Sequence, residues 1–242
     1  MNELLLISSV VVLYALVLLW YKLFGNVGLY CFTVFATIAA NIEVLILVKA
    51  FGIEMTLGNI LFATTFIVTD ILSETEGKES AKKAVNIGIA TSLTFVVISS
   101  SWLLYNPSDN DWAMPSINSI FSSTPRIIFS SLIVYAIVQR LDVWLYHKIW
   151  KLTEKKAGNK KSFLWVRNNG ATLTSQFVNS ILYNFFAFYG TFPTKTLVWV
   201  IVSTFSISIV TSLLDTPVIY IARSMNQKAL SKDKEPLYNH TV

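Results

Sequence analysis

The sequence predicts an all-α polytopic membrane protein, and three observations lead to this fold class. Hydrophobic residues make up 54% of the 242 residues, and the mean hydropathy is +0.57. Charged residues make up only 14%, whereas a soluble domain carries roughly 25%. The apolar residues also form long blocks, and a helix needs about 20 of them to cross a bilayer. Such a chain cannot cover a globule with polar surface, so its solvent is lipid.

Seven apolar blocks are the candidate membrane-spanning helices. We expect the first to be a retained helix and not a secretory signal, because it begins Met1-Asn2-Glu3 without a basic region and no small-x-small cleavage site follows. The third is short and ends in polar residues, so we expect it to pack inside the bundle. In chain order the blocks are 4–21, 28–48, 56–72, 85–105, 125–145, 170–189 and 196–222.

The connections between the blocks predict the orientation. Segment 148–167 is rich in Lys and Arg, and so are the segment after Leu72 and the polar tail 224–242, whereas 106–124 has neither and carries Asp109 and Asp111. Cytoplasmic loops carry the excess of Lys and Arg. The N-terminus is therefore expected outside and the tail in the cytoplasm, with an odd number of spans.

The composition also excludes several functional classes. The single cysteine, Cys31, cannot form an internal disulfide, and the two histidines lie outside the apolar blocks, so no metal site or cofactor is expected. An intramembrane hydrolase would have only carboxylates to work with. The net charge of +5 comes from loop residues, which we interpret as topology signals and not as a nucleic-acid surface.

The third block carries one polar face. At about 100° per residue, a shared face holds an amide, a ring and two carboxylates. Charged groups at mid-membrane are costly and need a partner or a purpose, which favours a binding site. The alternative is a solvated cytoplasmic helix end. The residues are Asn59, Ala63, Phe66, Asp70 and Glu74.

The sixth block has a matching stripe of hydroxyl, amide and aromatic side chains. Such residues either bond neighbouring helices together or contact a flat heterocyclic ligand, and the pattern favours neither. The stripe consists of Thr172, Ser175, Gln176, Asn179, Tyr183 and Phe186.

Further polar residues lie in the other blocks. We assign them to a network that holds the bundle together or gates it, namely Glu43, Arg126, Gln139, Asp142 and Asp215. Arg126 either extends to the interface or pairs with Glu43, which lies at a similar outer depth. Asn41, in the second block, joins the candidate ligand contacts.

The two stripes together suggest a ligand class. A carboxylate accepts from ring N–H groups and an exocyclic amine, an amide donates to a carbonyl, and aromatic rings stack on the ring face. A planar base similar to guanine fits this set of groups.

Six short runs of the chain form a distinctive set of motifs. The longest is 56–74, from Thr-Leu-Gly-Asn to Ile-Leu-Ser-Glu. The others are Ala40-Asn41, Pro125-Arg126, Gln139-x-x-Asp142-Val143, Ser175-Gln176-x-x-Asn179 and Thr216-Pro217-x-x-Tyr220. Together these runs resemble the queuosine precursor transporter family, also called vitamin uptake transporters, between about residues 28 and 223.

The resemblance implies uptake of 7-deazaguanine bases, either queuosine precursors or queuine, for tRNA modification. It also implies a multi-pass protein of the bacterial inner membrane. The six-helix core, 28–223, would resemble the substrate-binding subunits of energy-coupling-factor transporters, and 1–27 would be an extra helix. The family often has aspartate where this chain has Asn179, and lysine near Ile207, and this departure predicts an altered substrate preference here.

We therefore expect a transporter of 7-deazaguanine bases, not an enzyme, with a homodimer as an open possibility. The expected substrate contacts are Asn41, Asn59, Phe66, Asp70, Glu74, Ser175, Gln176, Asn179 and Tyr183. The alternative is a binding subunit that depends on a separate ATPase. The chain has no GxxxxGK[ST] motif of its own, since Gly158-Asn-Lys-Lys-Ser lacks the preceding glycine.

Overall fold

The computed structural model describes residues 1–122, 125–159, 161–190 and 193–232, without the side chains of 53, 54, 122, 125–128 and 228–232. The predicted all-α class is confirmed, with one short β-hairpin in addition. The helices are α1 (Asn2–Glu43), α2 (Gly58–Thr75), α3 (Lys78–Trp102), α4 (Met114–Ser122), α5 (Pro125–Ala157), α6 (Leu164–Phe188) and α7 (Thr194–Lys232), and the strands are β1 (Leu47–Ala50) and β2 (Ile53–Thr56).

Helix α1 consists of two segments that fold back on each other at Gly25. Its φ of 58° and ψ of −140° are not helical, and glycine adopts positive φ without a steric penalty. A side chain at Gly28 would overlap the carbonyl oxygen of Trp20, so the segments cross closely. Asn2 Nδ2 donates to the Lys49 carbonyl at 2.9 Å. The beginning of α1 therefore lies beside the hairpin that follows its end.

The hairpin corrects the predicted second span, which was expected to stay helical to residue 48. The helix ends at Glu43, and Leu47–Ala50 pairs antiparallel with Ile53–Thr56. Phe51 and Gly52, both at positive φ (52° and 74°), form the two-residue turn. Turns of this kind match the twist of paired strands. We call this end of the bundle the hairpin end.

The opposite end is defined by Arg167, and we call it the Arg167 end. Helix α2 ends there and α6 begins there, since Arg167 bonds Glu74. Helix α7 also reaches this end, because Asn226 donates to the Thr75 carbonyl. Helices α2, α6 and α7 therefore run the length of the bundle between the two ends.

Several helices extend beyond the predicted spans. Helix α5 continues to Ala157 and α6 begins at Leu164, so much of the expected connection 148–167 is helical. Lys, Glu and Leu are good helix formers, which explains how the charged segment continues the helix. Helix α7 runs to Lys232 with Pro217 inside it, so the predicted boundary between core and tail at 223 lies within a helix.

Polarity is inverted relative to a soluble protein. Large apolar side chains are exposed on the outside, for example Leu4 (73%), Trp199 (64%) and Leu213 (59%), while many amides, hydroxyls and carboxylates are buried. Among the described residues, three helices are long and apolar enough to cross a membrane by length and composition: Asn2–Glu43, Lys78–Trp102 and Thr194–Gln227. The fold is that of a helical membrane protein.

Candidate functional site

Buried polar side chains form a column along α2, α5, α6 and α7. The column is as long as the part of α2 between Asn59 and Glu74, because the predicted residues of this helix are spread along it. Asn59 and Asp70 are eleven residues apart, which is about 16 Å along the helix axis at 1.5 Å per residue. The predicted residues therefore form successive layers and do not converge on a single chamber.

The layer nearest the hairpin end is a small cavity between α1, α2, α5 and α6. Its volume is about 40 Å³, room for roughly three waters. Two amides and one phenol line it, and the buried hydroxyl of Tyr183 has no hydrogen-bond partner among the described residues. The lining residues are Ala40, Val44, Gly58, Asn59, Phe62, Ser131, Val134, Asn179 and Tyr183. Three of the predicted contacts, Asn59, Asn179 and Tyr183, thus come together here.

The next layer separates the cavity from the carboxylates below. Phe66 is fully buried and packs edge-on against Phe62, with ring centroids 5.2 Å apart. Gln139 Nε2 donates to Thr65 Oγ1 at 2.6 Å, which joins α5 to α2. Gln176 accepts from Asn179 Nδ2 at 3.3 Å. These contacts close the floor of the cavity.

Three carboxylates from three helices form the third layer. Asp70, Asp142 and Asp215 are 0%, 0% and 2% exposed. Thr172 Oγ1 donates to Asp70 Oδ2 at 3.1 Å, and Ser175 Oγ donates to Asp142 Oδ1 at 2.6 Å. The α6 stripe thus supplies the donors for the carboxylates of α2 and α5.

Asp215 takes its donor from the beginning of α6. Asn168 Nδ2 donates to Asp215 Oδ1 at 2.7 Å, and the neighbouring Asn169 Nδ2 donates to Thr216 Oγ1 at 2.7 Å. These bonds hold α7 against α6 beside Pro217.

An ion-pair cluster closes the column at the Arg167 end. The Arg167 guanidinium is fully buried and lies 2.7 Å from Glu74 Oε2, and Arg223 lies 3.2 Å from Glu74 Oε1. Tyr146 donates its hydroxyl to Glu74 Oε2 at 3.0 Å, and Arg167 stacks over Trp150 at 4.2 Å. Charged hydrogen bonds of this kind are roughly twice as strong as neutral ones, so the cluster ties α2, α5, α6 and α7 together.

His147, just beyond the predicted span of α5, lies beside this cluster. Partial burial, and then the nearby Lys78 and Lys151, lower the pKa of His147 to about 4. The ring stacks on Trp150 with an interplanar angle of 15°. His147 is therefore neutral at physiological pH and adds no charge next to Arg167.

Other predicted residues lie away from the cavity. Asn41 Nδ2 donates to Ser92 Oγ at 3.0 Å and thereby joins α1 to α3. Glu43 faces an open groove beside Leu57 and Ile60. The side chain of Arg126 lies outside the described residues, so its expected pairing with Glu43 stays a prediction.

Sequence reasoning missed the partner of Glu74. Arg167 was counted only among the loop cations, and Asn168 and Asn169 were not considered. A signal was present for Asn168, which lies four residues, about one turn, before Thr172 on the face of the α6 stripe, whereas Arg167 lies off that face. In the described ranges, no group of three or more His, Cys, Asp or Glu side chains is arranged to hold a metal ion.

The fold and the column define a class of protein: a helical membrane protein with its polar groups inside, which is typical of proteins that carry solutes. The family model described as "Putative vitamin uptake transporter" matches residues 56–222. The chain belongs to this family, which confirms the resemblance, and it is a membrane transporter and not an enzyme.

A curated relative agrees with this assignment. The chain is 35% identical over 212 residues to a Bacillus subtilis (strain 168) protein named "Probable queuosine precursor transporter", and the match covers 88% of this chain and 90% of the relative. No solved structure matches the chain.

Proposed function

We propose that this protein imports queuosine precursors or queuine, which are 7-deazaguanine bases, across the bacterial inner membrane. The relative's name suggests this substrate class. The observation that carries the proposal is the cavity, where two amides and a buried hydroxyl with no partner in the described part of the chain surround a space bordered by aromatic rings.

The proposed orientation places the Arg167 end in the cytoplasm and the hairpin end outside. Helix α5 continues beyond its predicted span to Ala157. Lys148, Lys151 and Lys155 lie on this continuation, near the Arg167 end. The excess of cations at this end supports a cytoplasmic location. In this arrangement the two segments of α1 and the helices α2, α3, α5, α6 and α7 make seven spans. The last six would form the core similar to energy-coupling-factor binding subunits.

The cavity offers suitable chemistry for the edge of such a base. The amides of Asn59 and Asn179 can each donate and accept, so they complement the ring N–H groups, amine and carbonyl of a guanine-like ring. The Tyr183 hydroxyl supplies a further donor, and Phe62 a ring for stacking. The cavity holds only roughly three waters, which is too little space for a base, so the base would enter when the lining helices separate.

The deeper layers would act after the base has bound. Asp70 lies about 16 Å along α2 from Asn59, so one base cannot contact both at once. We therefore assign Asp70, Ser175 and Gln176 to an inner position on the path, reached once Phe66 moves. Glu74, held by Arg167 and Arg223, would close the cytoplasmic exit.

The test measures binding and uptake with the purified full chain. Queuine and its cyano and aminomethyl precursors are expected to raise the unfolding temperature, and proteoliposomes are expected to take them up. Tyr183→Phe removes a hydroxyl that has no partner among the residues described, so we expect unchanged stability of the free protein and an affinity lower by roughly 2- to 13-fold. The matched control is Tyr105→Phe, whose side chain is 71% exposed and does not line the cavity; its affinity should not change.

Two outcomes would contradict the proposal. Absence of both binding and uptake for every 7-deazaguanine would exclude the substrate class. Equal loss of affinity in Tyr183→Phe and Tyr105→Phe would exclude the cavity as the binding site. Uptake that requires an added ATPase module would favour the alternative, a binding subunit of an energy-coupling-factor importer.

A further inference from the structure

We propose that Asp70 and Asp142 share one proton and that this proton moves inward with each transported base. The proposal rests on the proposed transport function and adds its energy source. It assigns a role to two buried carboxylates that contacts with the base in the cavity do not use.

The geometry of the pair requires a hydrogen between the two groups. Each carboxylate has one oxygen bonded to a hydroxyl of α6: Asp70 Oδ2 to Thr172, and Asp142 Oδ1 to Ser175. The other oxygens, Asp70 Oδ1 and Asp142 Oδ2, are buried and have no donor among the described residues. The two carboxyl groups lie within hydrogen-bonding reach of each other. Since an ionised carboxylate can only accept, one proton between them satisfies both oxygens.

The charges around the pair also favour a shared proton. From α1 the pair is faced by Tyr14, from α5 by Tyr146 and from α7 by Asp215, and none of these groups brings a positive charge. Among the described residues the one buried cation is Arg167, and it is bonded to Glu74. Two carboxylates that share a site without a cation do not both ionise, and an unpaired charge in the membrane interior is costly.

Asp215 differs from the pair in one respect. It accepts an amide N–H from Asn168 at 2.7 Å, whereas Asp70 and Asp142 accept only from hydroxyls of α6 among the described residues. The pair, and not Asp215, is therefore the place where a proton replaces a missing donor.

The transport step balances without redox chemistry. In the free protein the pair already holds one proton, taken from a hydronium ion of the outer water, and the base then binds in the outer cavity. When the base reaches the inner position, its N–H groups donate to Asp70 and stabilise the ionised carboxylate. The O–H bond then breaks, the proton leaves with the base to the cytoplasm, and the empty pair takes up the next proton from the outer water. Net movement is one base and one proton inward.

Proteoliposomes that contain the full chain and labelled queuine test this proposal. We expect an inward, acid-outside gradient of one pH unit to raise accumulation up to about tenfold, since one pH unit corresponds to 1.36 kcal/mol per proton. A protonophore should abolish this accumulation but leave exchange of labelled for unlabelled base.

Asp142→Asn separates base exchange from gradient-driven accumulation. Its amide would donate permanently to Asp70 and mimic the protonated pair, so we expect base exchange without gradient-driven accumulation. Glu79→Gln, at an exposed carboxylate paired with Lys82, is the control and should accumulate base like the wild type. Gradient-driven accumulation that persists in Asp142→Asn, or wild-type accumulation that ignores the gradient, would overturn the proposal.

A second variant covers the case in which Asp142→Asn does not fold. Ser175→Ala removes the hydroxyl that donates to Asp142 Oδ1, so the pair should hold its proton more firmly and gradient-driven accumulation should fall relative to base exchange. An unchanged ratio of accumulation to exchange in Ser175→Ala would count against the shared proton. Absence of base exchange in the wild type would instead defeat the proposed function itself.

Discussion

Replacing Glu74 by Gln tests whether the ion-pair cluster holds the Arg167 end together. The fully buried guanidinium of Arg167 (0% exposed) would lose its carboxylate. Breaking a buried ion pair by removing one partner costs about 3–5 kcal/mol. For a chain of this size, 1 kcal/mol lowers the unfolding temperature by about 2–4 °C. We therefore expect Glu74→Gln to unfold roughly 6–20 °C below the wild type in detergent.

Two comparisons make this prediction sharp. Arg223 is 16% exposed and can turn toward water, and Glu74 would keep Arg167, so Arg223→Gln should cost roughly 1 kcal/mol or less. Combining Glu74→Gln with Arg167→Gln removes both buried charges, so the double variant should lose less than the sum of the single losses.

The measurement is thermal unfolding of the purified variants, followed by tryptophan fluorescence. Glu79→Gln, at an exposed carboxylate, serves as the control and should unfold like the wild type. If Glu74→Gln loses no more stability than Arg223→Gln, the buried pair is not the element that closes this end of the bundle.

Three further changes test other contacts by the same unfolding measurement. Gly28→Ala places a methyl group against the Trp20 carbonyl, so it should cost about 1–3 kcal/mol; an unchanged unfolding temperature would contradict the close crossing within α1. Asn168→Leu leaves Asp215 without its amide donor and should cost about 1–3 kcal/mol; a neutral result would show that this bond is not formed. Tyr14→Phe loses one buried hydrogen bond to α7 and should cost about 0.5–1.5 kcal/mol, and full stability would exclude that bond.

The helical class and the polar faces could be predicted because they depend on local sequence. Periodicity assigns a residue to a face, and the faces of α2 and α6 do meet, as the bond between Thr172 and Asp70 shows. A helical wheel, however, does not show where a residue lies along the helix axis. Asn59 and Glu74 share a face but lie about 22 Å apart along α2. One small ligand therefore cannot contact both residues in a single site.

The ion pair and the hairpin could not be derived in the same way. Glu74 and Arg167 are 93 residues apart in sequence, and their contact depends on how the helices pack. The apolar run at 47–56 is too short for periodicity to distinguish strand from helix. Only the turn at Phe51-Gly52 indicates the reversal.

The proline within α7 has a mechanical consequence. Pro217 has no N–H to donate to the preceding turn, so the helix can pivot at this point. Beyond the pivot, the terminal part of α7 carries Arg223, whose guanidinium contacts Glu74; immediately before it, Thr216 is bonded to Asn169. A change at the contact between Thr216 and Asn169 would thus bend α7 at Pro217 and move Arg223 away from Glu74. Occupancy of the interior would in this way be coupled to opening of the exit.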